Sequence, residues 1–283
     1  MNGILLINKP KGLSSHDVVY KIKKKLNISK VGHTGTLDPF ATGLLIILLG
    51  NATKLAFMFD GLDKSYEGTV VFGKLFDTLD TTGKVLDEKS SVFDLSMIED
   101  TMKSFMPSYS QMPPDFSAIK KNGIKAYELA RSGQTVVLEP RIVNVYDFNV
   151  ISYNEKLQFN CHVSKGTYIR SLAKDLGEKL GSYGALESLN RTRIGNYDLI
   201  DAKLIEDVSI DDVITDVLLF DQVRTVKLND YMVKLVLNGV YLDERQTLEK
   251  TPFVVIDSEE HYIAYYELVE DHFEPKYFFK RLT

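Results

Sequence analysis

Cysteine is almost absent from this chain of 283 residues, since Cys161 is the only one. A single thiol excludes an intrachain disulfide and a zinc site built from several thiolates. Positions 157, 159, 161 and 163 are Leu, Phe, Cys and Val, an alternation typical of one buried strand face. We therefore predict that Cys161 is a small buried apolar residue and not a reactive thiol.

Histidines and long apolar runs are also scarce. The five histidines show no pair four positions apart and no neighbouring acid cluster with ligand spacing, so the sequence predicts no metal site. The apolar run at residues 44–49 is far too short to cross a bilayer. No long apolar segment follows a basic start at the N-terminus. We therefore expect a cytoplasmic protein that does not associate with membranes, and the apolar fraction of 44% is typical of a globular core.

The net charge of −5 is unevenly distributed. Residues 1–65 carry nine lysines and four acids, a balance of +5, and residues 118–179 carry ten bases and six acids, a balance of +4. Residues 198–283 carry nine bases and nineteen acids, a balance of −10. Two basic segments and an acidic tail favour a polyanion-binding surface on one part of the molecule, although solvated lysine-rich faces fit the charge counts equally well.

Strands and helices are mixed without a regular β–α–β rhythm, which indicates the α+β class. Apolar spacing and capping residues predict helices that start at Ser14 or Ser15, at Ser96, at residue 124 (ending at 131) and near residue 169. Strands are expected at residues 4–7, 66–72, 135–138, 142–151 and 156–163, with a buried element at 44–49. Residues 107–123 are expected to be irregular, and acid-rich residues 198–221 to connect to a small β-rich module.

The segment GHTGTLDPFATGLL, residues 32–45, holds one acid, Asp38, between Leu37 and Pro39. Proline disfavours helical backbone in the residue before it, so Asp38 is expected in extended backbone on a rigid loop. An acid fixed in this way suits a nucleophile or a base. An Asp-Pro pair is more often an ordinary turn in which the aspartate caps its own backbone.

Two other chemistries are disfavoured by spacing. GHTG is similar to the His-Gly loops of nucleotidyl transferases, but those loops carry a second nearby histidine and His33 has none. FDTLDTTG, residues 76–83, is similar to an aspartyl-phosphate loop, in which the two acids stand two positions apart. Asp77 and Asp80 stand three apart.

Six motifs follow one another in the chain: INKPKGLSSHDVV, GHTGTLDPFATGLL, DKSYEG, QMPPDFSAIKKNGIKAYELARSG, SKGTYIRSLAKDLG and LNRTRIG. In order and spacing they resemble the bacterial tRNA pseudouridine-55 synthase family. The resemblance covers residues 3–195 well and the tail weakly. The form GHTGTLDPFATG separates the chain from other pseudouridine synthase families, whose aspartate follows an arginine. One departure is that Phe76 and Leu79 stand where the family usually has polar residues.

The resemblance implies isomerisation of uridine to pseudouridine at position 55, in the T-loop of tRNA. The reaction breaks the bond between C1′ and N1, turns the base and rejoins it through C5, with no redox change and no cofactor. Asp38 is implied as the catalytic carboxylate and Arg170 as the guanidinium that pairs with it. Tyr66 is implied as the aromatic residue that stacks on the flipped base.

The resemblance also implies the substrate-binding residues. Tyr168 and Leu189 would line the uracil pocket, and His33 would take the place that the flipped base leaves. Lys9, with Pro10, would brace the catalytic loop. An RNA-clamping insertion at residues 107–133 would bring basic side chains to the phosphates, namely Lys120, Lys121, Lys125 and Arg131.

The implied fold is a catalytic domain at residues 1–221 and a small β-rich module at residues 222–283. The catalytic domain would have a central mixed, mainly antiparallel sheet flanked by helices, and the module would resemble a reduced RNA-binding domain. We expect a monomer with tRNA as its partner. The main rival is a tRNA-folding chaperone in which the catalysis is secondary.

Overall fold

The computed structural model describes residues 1–90, 92–114 and 138–279, and the backbone of 120–121 and 124–125. Five α-helices lie in this part of the chain: α1 Ser15–Leu26, α2 Phe57–Asp60, α3 Leu95–Lys103, α4 Ile169–Lys179 and α5 Asp230–Leu237. Short 3-10 helices are Gly50–Leu55, Leu199–Asp201, Ile210–Asp212 and Leu218–Phe220. No helix in these ranges is long and apolar enough to span a membrane.

The first nine strands of the described ranges are β1 Gly3–Lys9, β2 Val31–Thr34, β3 Thr42–Leu49, β4 Lys64–Phe72, β5 Lys74–Phe76, β6 Val85–Glu88, β7 Ser108–Gln111, β8 Lys120–Lys121 and β9 Ile124–Lys125. The others are β10 Arg141–Asn154, β11 Lys156–Val163, β12 Gly184–Ile194, β13 Tyr197–Asp198, β14 Ile214–Thr215, β15 Thr225–Lys227, β16 Phe253–Ile256, β17 Tyr262–Val269 and β18 His272–Phe278.

A ten-stranded sheet forms the centre of the molecule, in the order β14-β1-β3-β12-β4-β11-β10-β7, with β2 paired to β3 and β13 to β12. All its pairings are antiparallel except the parallel contact between β3 and β12. Helices α3 and α4 pack on one side of it, in a core that also contains Cys161. The expected class and central sheet are confirmed, and so is the burial of Cys161, which is 3% exposed.

Strand β3 explains the apolar run that was predicted only as a buried element. Its even positions (Leu44, Ile46, Leu48) face one core cluster and its odd positions (Leu45, Ile47, Leu49) face another. Helix α1 covers the second of these faces. Because both faces are buried, the strand has no polar alternation that would have revealed it.

The sequence left open whether Ser14 or Ser15 caps helix α1, and the structure decides between them. Ser14 is the N-cap and forms a capping box with Asp17, while Asn27 ends the helix in the left-handed conformation. Ser15 is buried and bonds the loop that contains Asp38: its Oγ accepts from the Leu37 amide at 2.9 Å and donates to the Leu37 carbonyl at 3.2 Å. The residue that caps α1 and the residue that braces the Asp38 loop are therefore adjacent in the sequence.

The C-terminal residues form a second sheet, in the order β15-β16-β17-β18, as a β-rich module predicts. Helix α5 was missing from that prediction. The module shares a core with the central sheet, in which Tyr265 and Tyr277 pack around Phe220 with Leu44 and Ile46. The connector is also more than a linker, because β14 pairs with β1 at Gly3 and Ile4. The boundary at residues 221 and 222 stays a prediction.

Two expectations fall mostly on residues that the structure leaves undescribed. The helix predicted at residues 124–131 is wrong at its start, because Ile124 and Lys125 form β9. The rest of that helix lies outside the described residues. So do Arg131 and positions 135–137 of the strand predicted at residues 135–138. So do the side chains of Lys120, Lys121 and Lys125.

The contact between α4 and β12 requires glycine at Gly177. A Cβ there would lie 2.2 Å from the Gly184 nitrogen and 2.4 Å from the Tyr183 carbonyl carbon. We expect Gly177→Ala to lower the free energy of unfolding by roughly 1–3 kcal/mol, because a packed backbone must move. Urea denaturation measures this. Gly61→Ala is the control, since a Cβ there meets nothing within 4 Å; equal midpoints for the two variants would contradict the prediction.

Candidate active site

A cavity of about 1230 Å³ opens at the end of the central sheet, where β2, β4, β12 and the loop that contains Asp38 meet the start of α4. Six of the residues predicted from the sequence line it: His33, Asp38, Tyr66, Tyr168, Arg170 and Leu189. These residues come from segments that are far apart in the chain. A hydrogen bond in the same cavity, between Gly35 and Arg191, joins residues 156 positions apart. Among the described residues, no group of three or more His, Cys, Asp or Glu side chains is placed to hold a metal.

Asp38 and Arg170 form a two-pronged ion pair on the wall of this cavity. Arg170 Nε lies 2.8 Å from Asp38 Oδ2, and Nη2 donates to Oδ1 at 3.2 Å. A further bond from Nη1 to the Thr78 carbonyl, 3.0 Å long, fixes the guanidinium plane. The Arg170 side chain is 6% exposed and that of Asp38 is 35% exposed. The carboxylate is therefore oriented by its partner yet still open to the cavity.

The ionisation of Asp38 reflects opposing influences. Burial raises the pKa of its carboxyl group above the ordinary value, and the Asp80 carboxylate adds to that effect. The charges of Arg170 and Lys9 act in the opposite direction, and so does the Arg170 hydrogen bond. Arg170 is thus the main group that keeps a partly desolvated carboxylate ionised.

Lys9 lies beneath the loop that carries Asp38. Its ammonium group donates to the carbonyls of Leu13 at 2.7 Å, Pro10 at 3.0 Å and Pro39 at 3.5 Å. The residue is fully buried, and burial lowers the pKa of its ammonium group to about 8. The structure therefore places Lys9 as a brace of the loop that contains Asp38, outside the lining of the cavity; a direct substrate contact stays a prediction.

Asp80, whose role the sequence left open, lies in the cavity wall and is 4% exposed. Its Oδ1 accepts from the Thr82 amide at 3.0 Å and also from the Thr82 hydroxyl. Leu79 before it has positive φ, and its carbonyl accepts from the Leu186 amide of β12. The apolar Leu79 is thus part of a tight turn that brings Asp80 toward Asp38.

Tyr168 and His33 line the same cavity as the Asp38–Arg170 pair. Tyr168 precedes α4, and its backbone is clamped by the buried Gln111 amide, which accepts from its N–H at 2.8 Å and donates to its carbonyl at 3.1 Å. Arg141 lies over the Tyr168 ring, 4.8 Å from its centre. His33 Nδ1 has no hydrogen-bond partner among the described residues, and burial lowers the pKa of its ring.

Tyr66 and Leu189 lie on the neighbouring strands β4 and β12, and each is 7% exposed. Sequence reasoning missed the residue beside them, Arg191, which is the cross-strand partner of Tyr66 and donates to the Leu44 and Gly35 carbonyls at 2.8 and 3.1 Å. It also missed Lys64, whose pKa burial lowers to about 8. The signal for Arg191 was available, because residues two apart on a strand share a face and Leu189 was already assigned inward.

The fold occurs in solved structures. A chain of a Cbf5–Nop10–Gar1 complex matches with a TM-score of 0.68 at 22% identity, over 94% of this chain and 78% of that one. A chain of an H/ACA RNP bound to a substrate RNA containing 2′-deoxyuridine matches with a TM-score of 0.70 at 21% identity, over 99% of this chain and 85% of that one.

Sequence comparison defines the class of protein as a pseudouridylate synthase. Residues 23–169 match the N-terminal domain of the TruB family of pseudouridylate synthases. The tRNA pseudouridine synthase B of Acholeplasma laidlawii is 54% identical over 99% of this chain and 100% of its own length. The Aquifex aeolicus protein of the same name is 40% identical over 84% of this chain and 86% of its own length. The chain belongs to the TruB family, which confirms the resemblance found in the sequence motifs.

Proposed function

We propose that this pseudouridylate synthase acts on tRNA and isomerises uridine 55 of the T-loop, with Asp38 as the catalytic carboxylate. The observation that carries the proposal is the Asp38–Arg170 fork, held in the wall of a cavity that Tyr66, Tyr168 and Leu189 also line. The tRNA substrate is supported by the names of the relatives.

The chemistry requires one ionised oxygen and a dry pocket for the base. The C1′–N1 bond of the nucleoside breaks, a C1′–C5 bond forms, N1 gains a proton and C5 loses one, so product and substrate are isomers. Asp38 supplies the carboxylate, and Arg170 orients it. The phenol ring of Tyr66 and the side chain of Leu189 supply flat and apolar surface for the uracil.

A uridine within a folded RNA loop reaches this cavity only if it leaves its stack. The cavity of about 1230 Å³ is large enough for a nucleotide and its neighbours. The His33 ring is half-buried, and its Nδ1 has no hydrogen-bond partner within the described ranges. It is suited to stacking in the vacated place, since its lowered pKa favours the neutral form. RNA loops are recognised through shape and splayed bases, which accords with selection of a T-loop.

The direct test is to incubate the protein with an unmodified tRNA transcript and map pseudouridine by carbodiimide treatment and primer extension. We expect one carbodiimide-dependent stop, at position 55. A transcript with cytidine at that position is the control and should show none. Modification only at another uridine would overturn the T-loop assignment, and no modification of any uridine would overturn the tRNA proposal.

The pH dependence of the rate should report the ionisation of the Asp38 carboxylate and the influence of Arg170 on its pKa. Because the Asp38 pKa is raised, the rate should begin to fall at a higher pH than an ordinary aspartate would cause. Arg170→Gln removes an influence that lowers the Asp38 pKa and should move this acid limb further up, whereas Arg170→Lys keeps the charge and should move it less. Single-turnover rates at saturating enzyme across the acid range measure the limb.

Lys179→Gln is the control for that pH series, because it removes an equal charge from the exposed end of the same helix. Its acid limb should coincide with that of the unaltered enzyme. A limb that is the same in Arg170→Gln as in the unaltered enzyme would show that Asp38 is not the titrating group.

A further inference from the structure

Gln111, the last residue of β7, is a fully buried amide in contact with Tyr168 of the cavity wall. Its Oε1 accepts from the Tyr168 N–H at 2.8 Å, and its Nε2 donates to the Tyr168 carbonyl at 3.1 Å and also to the Tyr109 hydroxyl. A backbone N–H only donates and a carbonyl only accepts, so one orientation of the amide satisfies both groups of Tyr168. Gln111 therefore binds the backbone of this one residue at both of its polar groups.

The residue that Gln111 holds is the N-cap of helix α4. Tyr168 lies directly before the helix, and its own side chain makes no capping hydrogen bond. Its carbonyl accepts from the Leu172 amide at 3.0 Å, which is the first hydrogen bond of the helix, as well as from Gln111. Because the same carbonyl begins the helix and is bound by Gln111, the amide fixes the place at which α4 starts.

A second hydrogen bond joins the same segment to the first turn of α4. Ser171 is 1% exposed, and its Oγ donates to the Met112 carbonyl at 2.8 Å. Residues 111 and 112 thus hold positions 168 and 171, which precede and follow Arg170 in the sequence. This turn carries the guanidinium that pairs with Asp38.

The Asp38 loop is supported from other parts of the chain. Lys9 and Ser15 hydrogen-bond the residues on either side of Asp38. The contacts of 2.8 and 3.2 Å between Asp38 and Arg170 therefore join two separately supported segments, the loop on β1 and α1 and the helix start on β7. A two-pronged pair tolerates only small displacements of its partners, so a shift of α4 relative to the loop would weaken it.

We propose that Gln111 and the Met112 carbonyl position the first turn of α4, so that Arg170 meets the Asp38 carboxylate. Gln111 is a positioning residue, since it acts through Arg170 and does not line the cavity. An apolar side chain would fill the same volume without the cost of burying an amide, which indicates that its directed hydrogen bonds matter. The inference rests on the proposed function, in which Asp38 is the catalytic carboxylate.

Gln111→Met tests this in the full chain, because methionine has a similar length and volume but makes neither bond to Tyr168. The charge and hydrogen bond of Arg170 lower the Asp38 pKa, so displacement of Arg170 should let that pKa rise. The carboxylate is then ionised only at higher pH, and the acid limb of the single-turnover rate should move upward, as in Arg170→Gln. The plateau rate should fall roughly 10- to 100-fold, as for a slightly misplaced catalytic group, with tRNA affinity retained.

Other ionisable groups act on Asp38 from elements that residues 111 and 112 do not hold. They are Asp80 in the turn between β5 and β6, Lys9 in β1 and Tyr66 in β4. A change of the Asp38 pKa in Gln111→Met is therefore assigned to Arg170.

A second measurement reads the Asp38 pKa without turnover. The ¹³C signal of the Asp38 carboxyl group can be followed across pH in aspartate-labelled protein and is assigned by its loss in Asp38→Asn. We expect a higher Asp38 pKa in Gln111→Met and a smaller rise in Ser171→Ala, which loses only the bond to the Met112 carbonyl. Ser171→Ala removes a single hydroxyl and keeps the proposal testable if Gln111→Met does not fold.

Ser182→Ala is the matched control, because Ser182 is also a buried serine but lies beyond the other end of α4, where it bonds the Ser90 carbonyl at 3.3 Å. Its rate and its Asp38 pKa should equal those of the unaltered enzyme. An Asp38 pKa that stays unchanged in Gln111→Met and Ser171→Ala would overturn the proposal. Failure of the proposed function is a different result, namely an unaltered enzyme that forms no pseudouridine, and the carboxyl titration still tests the positioning in that case.

Discussion

Replacement of Asp38 by asparagine is expected to abolish pseudouridine formation while tRNA binding is retained. The amide keeps the shape of the carboxylate and removes its negative charge. It also turns one acceptor into a donor that faces the Arg170 fork, which offers only donors. Loss of a catalytic carboxylate charge commonly lowers a rate on the order of 10⁴-fold, and we expect an effect of about that size.

The measurement is the single-turnover rate at saturating enzyme, together with tRNA affinity. Asp94→Asn is a matched control, since Asp94 is exposed, precedes α3 and does not line the cavity. A rate for Asp38→Asn near that of the unaltered enzyme would end the assignment of Asp38. Loss of binding together with rate would instead indicate that the variant is misfolded, which thermal denaturation distinguishes. If Asp38→Asn still refolds tRNA, the chaperone activity is separate from the chemistry.

Replacement of Arg170 by alanine should lower the rate by about 100-fold or more and change affinity much less. Removing one well-placed electrostatic partner commonly costs that amount. The structure adds a second reason: within the described part of the chain, the guanidinium makes two directed contacts to Asp38 and one to the Thr78 carbonyl. Alanine therefore leaves both the carboxylate and the Thr78 turn without their common partner.

Arg170→Lys should recover little of this loss, because a single ammonium group does not reproduce a planar fork. Lys179→Ala on the exposed end of the same helix is the control and should leave the rate unchanged. Equal single-turnover rates for Arg170→Ala and the unaltered enzyme would show that the ion pair only stabilises the fold.

The sequence motifs were sufficient to predict three residues that share a cavity. Asp38, Tyr66 and Arg170 stand in recognisable motifs, and all three lie in one cavity. Alternation alone was sufficient for Cys161, because one face of β11 is buried. Arg191 and Lys64 were missed because charged residues in strand segments are usually exposed, although the spacing of Arg191 from Leu189 placed both on one strand face.

Local sequence patterns also failed to predict some larger structural features, for similar physical reasons. The run in β3 shows burial but not which elements cover each face, so the core shared with the C-terminal module was invisible. Helix α5 was missed within a segment of short apolar runs, where helix and strand patterns are hard to separate. The acid-rich connector gave no sign that β14 pairs with β1, because that pairing depends on a contact with the N-terminal strand.

The sequence by itself determined the family, the α+β class, the rigid Asp-Pro loop and the capped helix α1, since each depends on residue type or on near neighbours. Only the tertiary structure decided how the Asp38 carboxylate is held. Arg170 is 132 residues away in the chain, and the braces at Lys9 and Ser15 precede the loop by more than twenty. Orientation and ionisation depend on atoms brought within about 3 Å by sheet register and helix packing, and no local pattern encodes those distances.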